Sequence, residues 1–318
     1  MTTSSGQLPA ATAAFSALID YAGLFPPAKL AMTEALREYA EARRAPHAWT
    51  IGRFIVPASR MGELLAALDQ TQPGEAALPA SVIVDAEPEP RAWLASARAA
   101  LAGIAALRRD GRIAIEALEV PLPPLVTRRE TYDAPVGQFA MLLEGAALRD
   151  LPVYLEIPRN ERFAELLSGA LFAFARHRLR AKVRCGGITA DAVPAPAELA
   201  AFVHAAHAER VAFKATAGLH HPVRHSNDAS GFVMHGFLNL LGAAVFARDG
   251  ADTADLTAIL EEDDPAAFGI DGAGLRVDGR SAALSQIELA RRESFVSYGS
   301  CSLSEPIGDL IALGMLEG

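Results

Sequence analysis

Cysteine is nearly absent: the 318-residue chain has two, Cys185 and Cys301. Two cannot staple a fold of this length, and with no CxxC pair the common zinc spacing is missing as well. Long apolar runs are also lacking. The most apolar helical stretch, 231–247, includes His235 and Asn239 and is too short and polar to span a bilayer. No membrane partner is therefore expected. No block of basic charge occurs and the net charge is −9, which argues against nucleic acid. The opening MTTSSGQLPAATAAF has neither a charged n-region nor an apolar h-region. A secretory leader is therefore not expected, and a reducing cytoplasm is the expected compartment. GxGxxG after the first strand, Walker, HxH and HExxH strings are all missing, so neither an organic cofactor nor a bound metal is expected.

What the chain does have is apolar mass, 51% of its residues, enough for a large core. Short β-branched runs fall at 17–21, 51–57, 81–86, 113–120, 152–158, 181–185, 211–216 and 295–299. Between them lie helical stretches such as RMGELLAALDQ and ERFAELLSGALFAFARHR, whose apolar residues recur at three- and four-residue spacing. Eight strands alternating with helices predict parallel βα units, and their simplest closed form is a (β/α)8 TIM barrel. The spacing breaks once: about eighty residues separate Thr216 from Phe295, where one βα unit needs about thirty. A helical insert over about 222–292 within one barrel domain accounts for them.

Chemistry in such barrels gathers at the carboxyl ends of the strands. Strand one is read as ending in Asp20, three in Asp85, four in Glu119 and five in Glu156. Strand six carries Lys182 and Arg184, and strand seven carries Lys214. Alternation puts Lys182 and Arg184 on one face, and Lys214 with Thr216 on another. Each single residue is readily a cap or an ion-pair partner. Seven at the ends of six strands point to a polar reaction pocket instead, because buried charge is costly unless paired. Lys182 and Lys214 lie on adjacent strands about 4.8 Å apart, so each is expected to depress the other's pKa and favour a nucleophilic amine. Gly186, Gly187 and Gly218 follow the lysines, where backbone can approach a ligand.

At these residues the chain resembles the deoxyribose-phosphate aldolase branch of class I aldolases. In that family a strand-six lysine before a short polar-Gly run forms a Schiff base, and a strand-seven lysine in an F-K-x-x-G string perturbs it. AKVRCGG and VAFKATAG place Lys182 and Lys214 in those roles. LID places Asp20 in the family's first-strand aspartate string, and YGSCS places Ser300 and Ser302 near its phosphate loop. The strand-four acid of the family corresponds to Glu119 or Glu116. Two departures stand out: Arg184 replaces a small polar residue, and Leu-His-His-Pro follows Gly218 where the family has a second glycine-rich turn. The strings KVRCGG, FKATAGLHHP and GSCS are also similar to those of a bacterial group with no assigned activity.

The resemblance implies a lysine imine on a small polar carbonyl compound; the residue types themselves suit Glu119, Glu156 or Asp20 to moving protons, with His220 or His221 assisting. Arg184, Asp85, Arg224 and His225 are further candidates for the ligand, an anionic or carbonyl metabolite. His235 and Asn239, four apart, are read as sharing a face of the insert helix, either as a buried pair or as part of a lid. Two other readings stay open. Loop histidines with strand-end carboxylates would suit a metal-dependent lyase or hydrolase, and a barrel that binds an anionic metabolite need not turn it over. A homo-oligomer is compatible with all three. The two cysteines are read as small packing residues.

Overall fold

A computed structural model describes residues 9–71, 76–125, 130–187, 189–227 and 231–318. The strands are β1 Ile19–Tyr21, β2 Ile51–Pro57, β3 Leu78–Ile83, β4 Ile113–Pro121, β5 Val153–Glu156, β6 Arg180–Arg184 and β7 Phe213–Thr216. After them come β8 His225–Ser226, β9 Val233–Met234, β10 Phe268–Asp271, β11 Gly274–Val277, β12 Arg280–Ala282 and β13 Phe295–Ser300. The helices are α1 Pro9–Phe15, α2 Met32–Ala42, α3 Met61–Thr71, α4 Pro90–Leu107, α5 Asp133–Gly145 and α6 Phe163–Arg176. Then follow α7 Pro196–Ala208, α8 Phe237–Arg248, α9 Thr253–Glu261, α10 Leu284–Glu293 and α11 Ser304–Ala312.

Eight strands close into a parallel barrel in the order β1, β13, β7, β6, β5, β4, β3, β2. The expected (β/α)8 architecture is therefore present. Parallel strands covered on both faces read as unbroken apolar runs with no alternation to mark their ends. That is why the run placed at 81–86 is in fact β3, Leu78–Ile83, and why Asp85 lies beyond it.

β4 contains the irregularity that sets the site. Ala80 pairs with Ile115 but Ser81 pairs with Ala117, so Glu116 is an extra, bulged residue. The slip changes the parity of β4, and Glu119 turns inward beside Ser81, whose hydroxyl it accepts at 2.7 Å. Glu119 is buried, while the Glu116 side chain is half exposed.

Among the described residues, the long stretch between β7 and β13 holds three helices and five short strands. α8 is buried around its whole circumference, Phe237 to Ala247 inclusive, and apolar there apart from Asn239, as suits a helix enclosed on every side. It packs against α7, α9, α10 and β13, and Phe237 stacks on Tyr298 at 5.0 Å. α8 is thus a wall helix of the barrel. The helix read over 231–247 starts later than expected: Gly236 is its N-cap, and Met234 belongs to the β8–β9 hairpin.

Candidate active site

The pairing of β6 with β7 sets Lys182 directly opposite Lys214, and that of β5 with β6 sets Glu156 opposite Lys182. Side chains at matched positions of parallel neighbours point the same way, here toward the barrel axis. Glu119 from β4 bridges the two lysines, with Oε2 2.8 Å from Lys182 Nζ and Oε1 2.5 Å from Lys214 Nζ. Lys182 also reaches Glu156 at 2.9 Å, and Lys214 reaches Asp20 at 2.8 Å. Asp20 is further held by the Ser297 hydroxyl and the Arg53 amide, both at 2.8 Å. Lys214 Nζ lies 5.8 Å from the centroid of the Tyr154 ring, on which the Arg180 guanidinium also sits.

The charges form a chain in which sign alternates from the rim inward. Arg184 pairs with Glu156 at 3.3 Å, then come Lys182, Glu119, Lys214 and Asp20. Beyond Asp20 the Arg53 guanidinium, 3.9 Å away, pairs with Glu116 at 3.1 Å. Neutral pairing of this kind is what allows ionised groups to sit in a barrel core.

That pairing overturns one expectation. Burial works against charge on both lysines, and their mutual repulsion adds to it for Lys182, but the carboxylates prevail. The pKa of Lys182 is raised by Glu119 and Glu156, and that of Lys214 by Asp20 and Glu119. In turn Glu119 and Glu156, despite the opposing effect of burial, are held below the usual carboxylate range by the cations around them. The resting lysines are ammonium ions. A carboxylate shared between two lysines cancels the depression that a bare pair would produce.

The two lysines differ in reach. Lys214 is 1% exposed beneath its partners, whereas Lys182 is 6% exposed and lies next to the rim, where the Arg184 side chain is 49% exposed. Thr216 is level with Arg184 on β7, and its hydroxyl lies by Gly299 at the top of the barrel interior.

The glycines after the lysines make room for protein. A Cβ on Gly186 would lie 2.9 Å from the Gly218 Cα, and one on Gly218 would lie 2.6 Å from Met234 Cε. Gly218 has φ +74°, and Gly187 packs on Ala192. The two loops thus close on each other, and Met234 of the hairpin sits on them.

Other candidates fall outside the lysine network. Asp85 is exposed and accepts the Ser59 amide, closing the turn after β2. His220 Nδ1 is 2.8 Å from Glu305, and His221 Nδ1 is 2.6 Å from Asp309; both carboxylates are on α11. His225 packs edge-on against His221 at 4.4 Å, and burial pushes its pKa down. Among the described residues no hydrogen bond joins these histidines to the lysines, and no group of three His, Cys, Asp or Glu is arranged to hold a metal.

His235 precedes α8, so it does not share a helix face with Asn239 as the spacing suggested. Its Nε2 is 2.7 Å from the Pro194 carbonyl, and burial lowers its pKa. Asn239 accepts the Arg224 amide at 2.9 Å and donates to the carbonyls of Ile259 and Glu262, tying the chain just before β8 to the end of α9. The Ser300 hydroxyl donates to the Ser302 carbonyl at 2.6 Å, and the Ser302 hydroxyl accepts the Glu305 amide at 3.2 Å. Both serines therefore shape the turn into α11. Arg53, Ser81, Ser297 and Tyr154 complete the network but were not singled out in the sequence. Each sits inside a strand that shows no polar alternation.

No protein-family model matches the chain, and no curated protein sequence matches it. Among solved structures, the chain is similar to one described as the unique tetrameric structure of deoxyribose phosphate aldolase from Aeropyrum pernix. The two share 10% identity with a TM-score of 0.49, over 95% of this chain and 93% of that one. The barrel assignment here rests on the strand pairing itself.

Proposed function

We propose that this barrel is an aldolase- or lyase-type enzyme that holds a small polar carbonyl compound as an imine on Lys182. The observation that carries the reading is the graded lysine pair: two ammonium groups share Glu119, and only Lys182 reaches the rim. Lys214 and Asp20 are the fixed part of the site. The half-exposed guanidinium of Arg184 suits the carboxylate or phosphate of a substrate.

The reaction begins with proton removal, because an ammonium is no nucleophile. Glu156, at 16% the more exposed of the two carboxylates bonded to Lys182, takes one proton from Lys182 Nζ. The amine lone pair attacks the carbonyl carbon, and the oxygen, protonated in turn, leaves as water to give the cationic imine. Glu119 stays ionised beside that cation. Removal of a proton from the β-hydroxyl by Glu156 then lets the Cα–Cβ bond break toward the imine nitrogen, releasing an aldehyde and an enamine. Protonation and hydrolysis of the enamine return Lys182. Asp20 and Lys214 set the field and exchange no atoms with the substrate.

A second reading is favoured by one observation, the raised pKa of both lysines. A barrel that keeps its lysines charged also suits the binding of an anionic metabolite without turnover. Aldol cleavage and addition assays over a panel of small hydroxy-carbonyl compounds separate the two. Lys182→Arg keeps the charge but cannot form the imine, so it is expected to lower activity at least a thousandfold while sparing anion binding. An activity undiminished in Lys182→Arg contradicts the enzyme reading.

A further inference from the structure

Cys301, one residue beyond β13, has its Sγ 3.5 Å from His220 Nε2, and His220 Nδ1 is 2.8 Å from Glu305 Oε2. The three come from separate places in the chain: the end of the last strand, the loop after β7 and the first turn of α11. The carboxylate can only accept a hydrogen bond, so a neutral His220 carries its proton on Nδ1 and leaves Nε2 as the free base. Sγ also lies 3.9 Å from Nδ1, beside the ring and off the Nε2 lone-pair axis, so a turn of the ring brings base and thiol into line. Nucleophile, base and orienting acid are thus gathered at one place. Cys185, by contrast, is fully buried on β6's continuation and has no such partners among the described residues.

The geometry points to a nucleophilic thiol site, made by Cys301, His220 and Glu305, that reacts with low-molecular-weight disulfides to form a mixed disulfide on the carboxyl-terminal face of the barrel. Cys301 lies four residues beyond Ser297, the residue level with Lys214, about 13 Å further along the strand direction. The site is therefore distinct from the lysine network and does not depend on the reading of that network. In the step, His220 Nε2 takes the thiol proton and Sγ attacks one sulfur of the disulfide. The S–S bond breaks, and the departing thiolate takes the proton from His220. Cys301 is oxidised to the mixed disulfide while the other half of the reagent is reduced to a thiol, so no further oxidant is needed. Burial, with Glu305 and Glu38 adding to it, outweighs the opposing hydrogen bond of the Ala28 backbone and holds the thiol protonated at rest, so the proton transfer to His220 is what exposes the nucleophile. Both thiols are buried, but Cys301 is 8% exposed against 0% for Cys185, so it is the less enclosed of the two.

The test incubates the reduced full-length protein with glutathione disulfide at neutral pH and follows adduct mass, with peptide mapping to locate it. One adduct is expected, on Cys301, with Cys185 unmodified. His220→Gln is expected to slow its formation about tenfold and Glu305→Gln several-fold, with circular dichroism confirming that each variant is folded. Should His220→Gln not fold, the Glu305→Gln rate decides alone. An adduct rate unchanged or faster in the folded variants, modification of Cys185 in its place, or no adduct on the native chain would each overturn the proposal.

Discussion

Lys182 and Lys214 face each other across the β6–β7 ladder with one carboxylate, that of Glu119, bonded to both. Two like charges in register are tolerable only because that acid and its flanking partners, Asp20 and Glu156, offset them. Removing either lysine leaves an acid exposed to the core, and the two cases are not equivalent.

Lys214→Met is expected to cost about 3–5 kcal/mol, because it strands Asp20 and Glu119 in a fully buried setting. Lys182→Met is expected to cost less, since Glu156 stays near water and keeps Arg184. Urea midpoints with unchanged slopes would report the order. A reversed order would mean that Lys214 is not the structural member of the pair.

Stability should depend on pH at both extremes. The folded pKa of Glu119 lies below its ordinary 4.5, so its stabilisation is complete above that value and is lost as pH falls through the folded value. That of Lys214 lies above its ordinary 10.5, so its stabilisation is complete below 10.5 and is lost as pH rises through the folded value. These groups therefore give a plateau between about 4.5 and 10.5 and a decline on either side. Glu119→Gln should begin less stable and lose less on going from about pH 5 to pH 3. Parallel acid limbs in denaturation curves would show that Glu119 is not a source of the decline.

Gly218→Ala should destabilise by about 1–3 kcal/mol, combining a left-handed backbone with contacts to Met234 and Gly186. Met234→Ala in the same chain should recover only part of that loss, because the backbone strain remains. Full recovery in thermal melts would mean that the side-chain contact alone excludes alanine.

Asn239→Ala deletes three hydrogen bonds and leaves the Arg224 amide and the carbonyls of Ile259 and Glu262 without their partner. A loss of about 2–4 kcal/mol is expected. Increased proteolysis near Arg224 should accompany it, since the chain there loses its tie to α9. A stability within about 0.5 kcal/mol of the parent would show that Asn239 does not anchor the loop.

The barrel was legible because eight buried parallel strands leave eight β-branched runs, and the lysine pair because the two lysines precede glycines at matched spacing. The rest required three dimensions. Whether Glu116 or Glu119 faces inward is decided by a bulge that leaves no mark in the residue pattern. Arg53 stands in mid-strand, where an isolated charge gives no hint of its partners. α8 is buried on every side and apolar but for Asn239, so periodicity does not mark its start and His235 reads as part of it, although it precedes the helix. The contact of Cys301 with His220 spans 81 residues of sequence, and the assignment of that cysteine to packing missed it.

Reduction with borohydride in the presence of a panel of small aldehydes and ketones, followed by peptide mass mapping, addresses the lysine chemistry most directly. A reduced adduct is expected on Lys182 with at least one carbonyl compound, with none on Lys214 and none in Lys182→Arg. The absence of any adduct on Lys182 across a broad panel, or an adduct confined to Lys214, would contradict it.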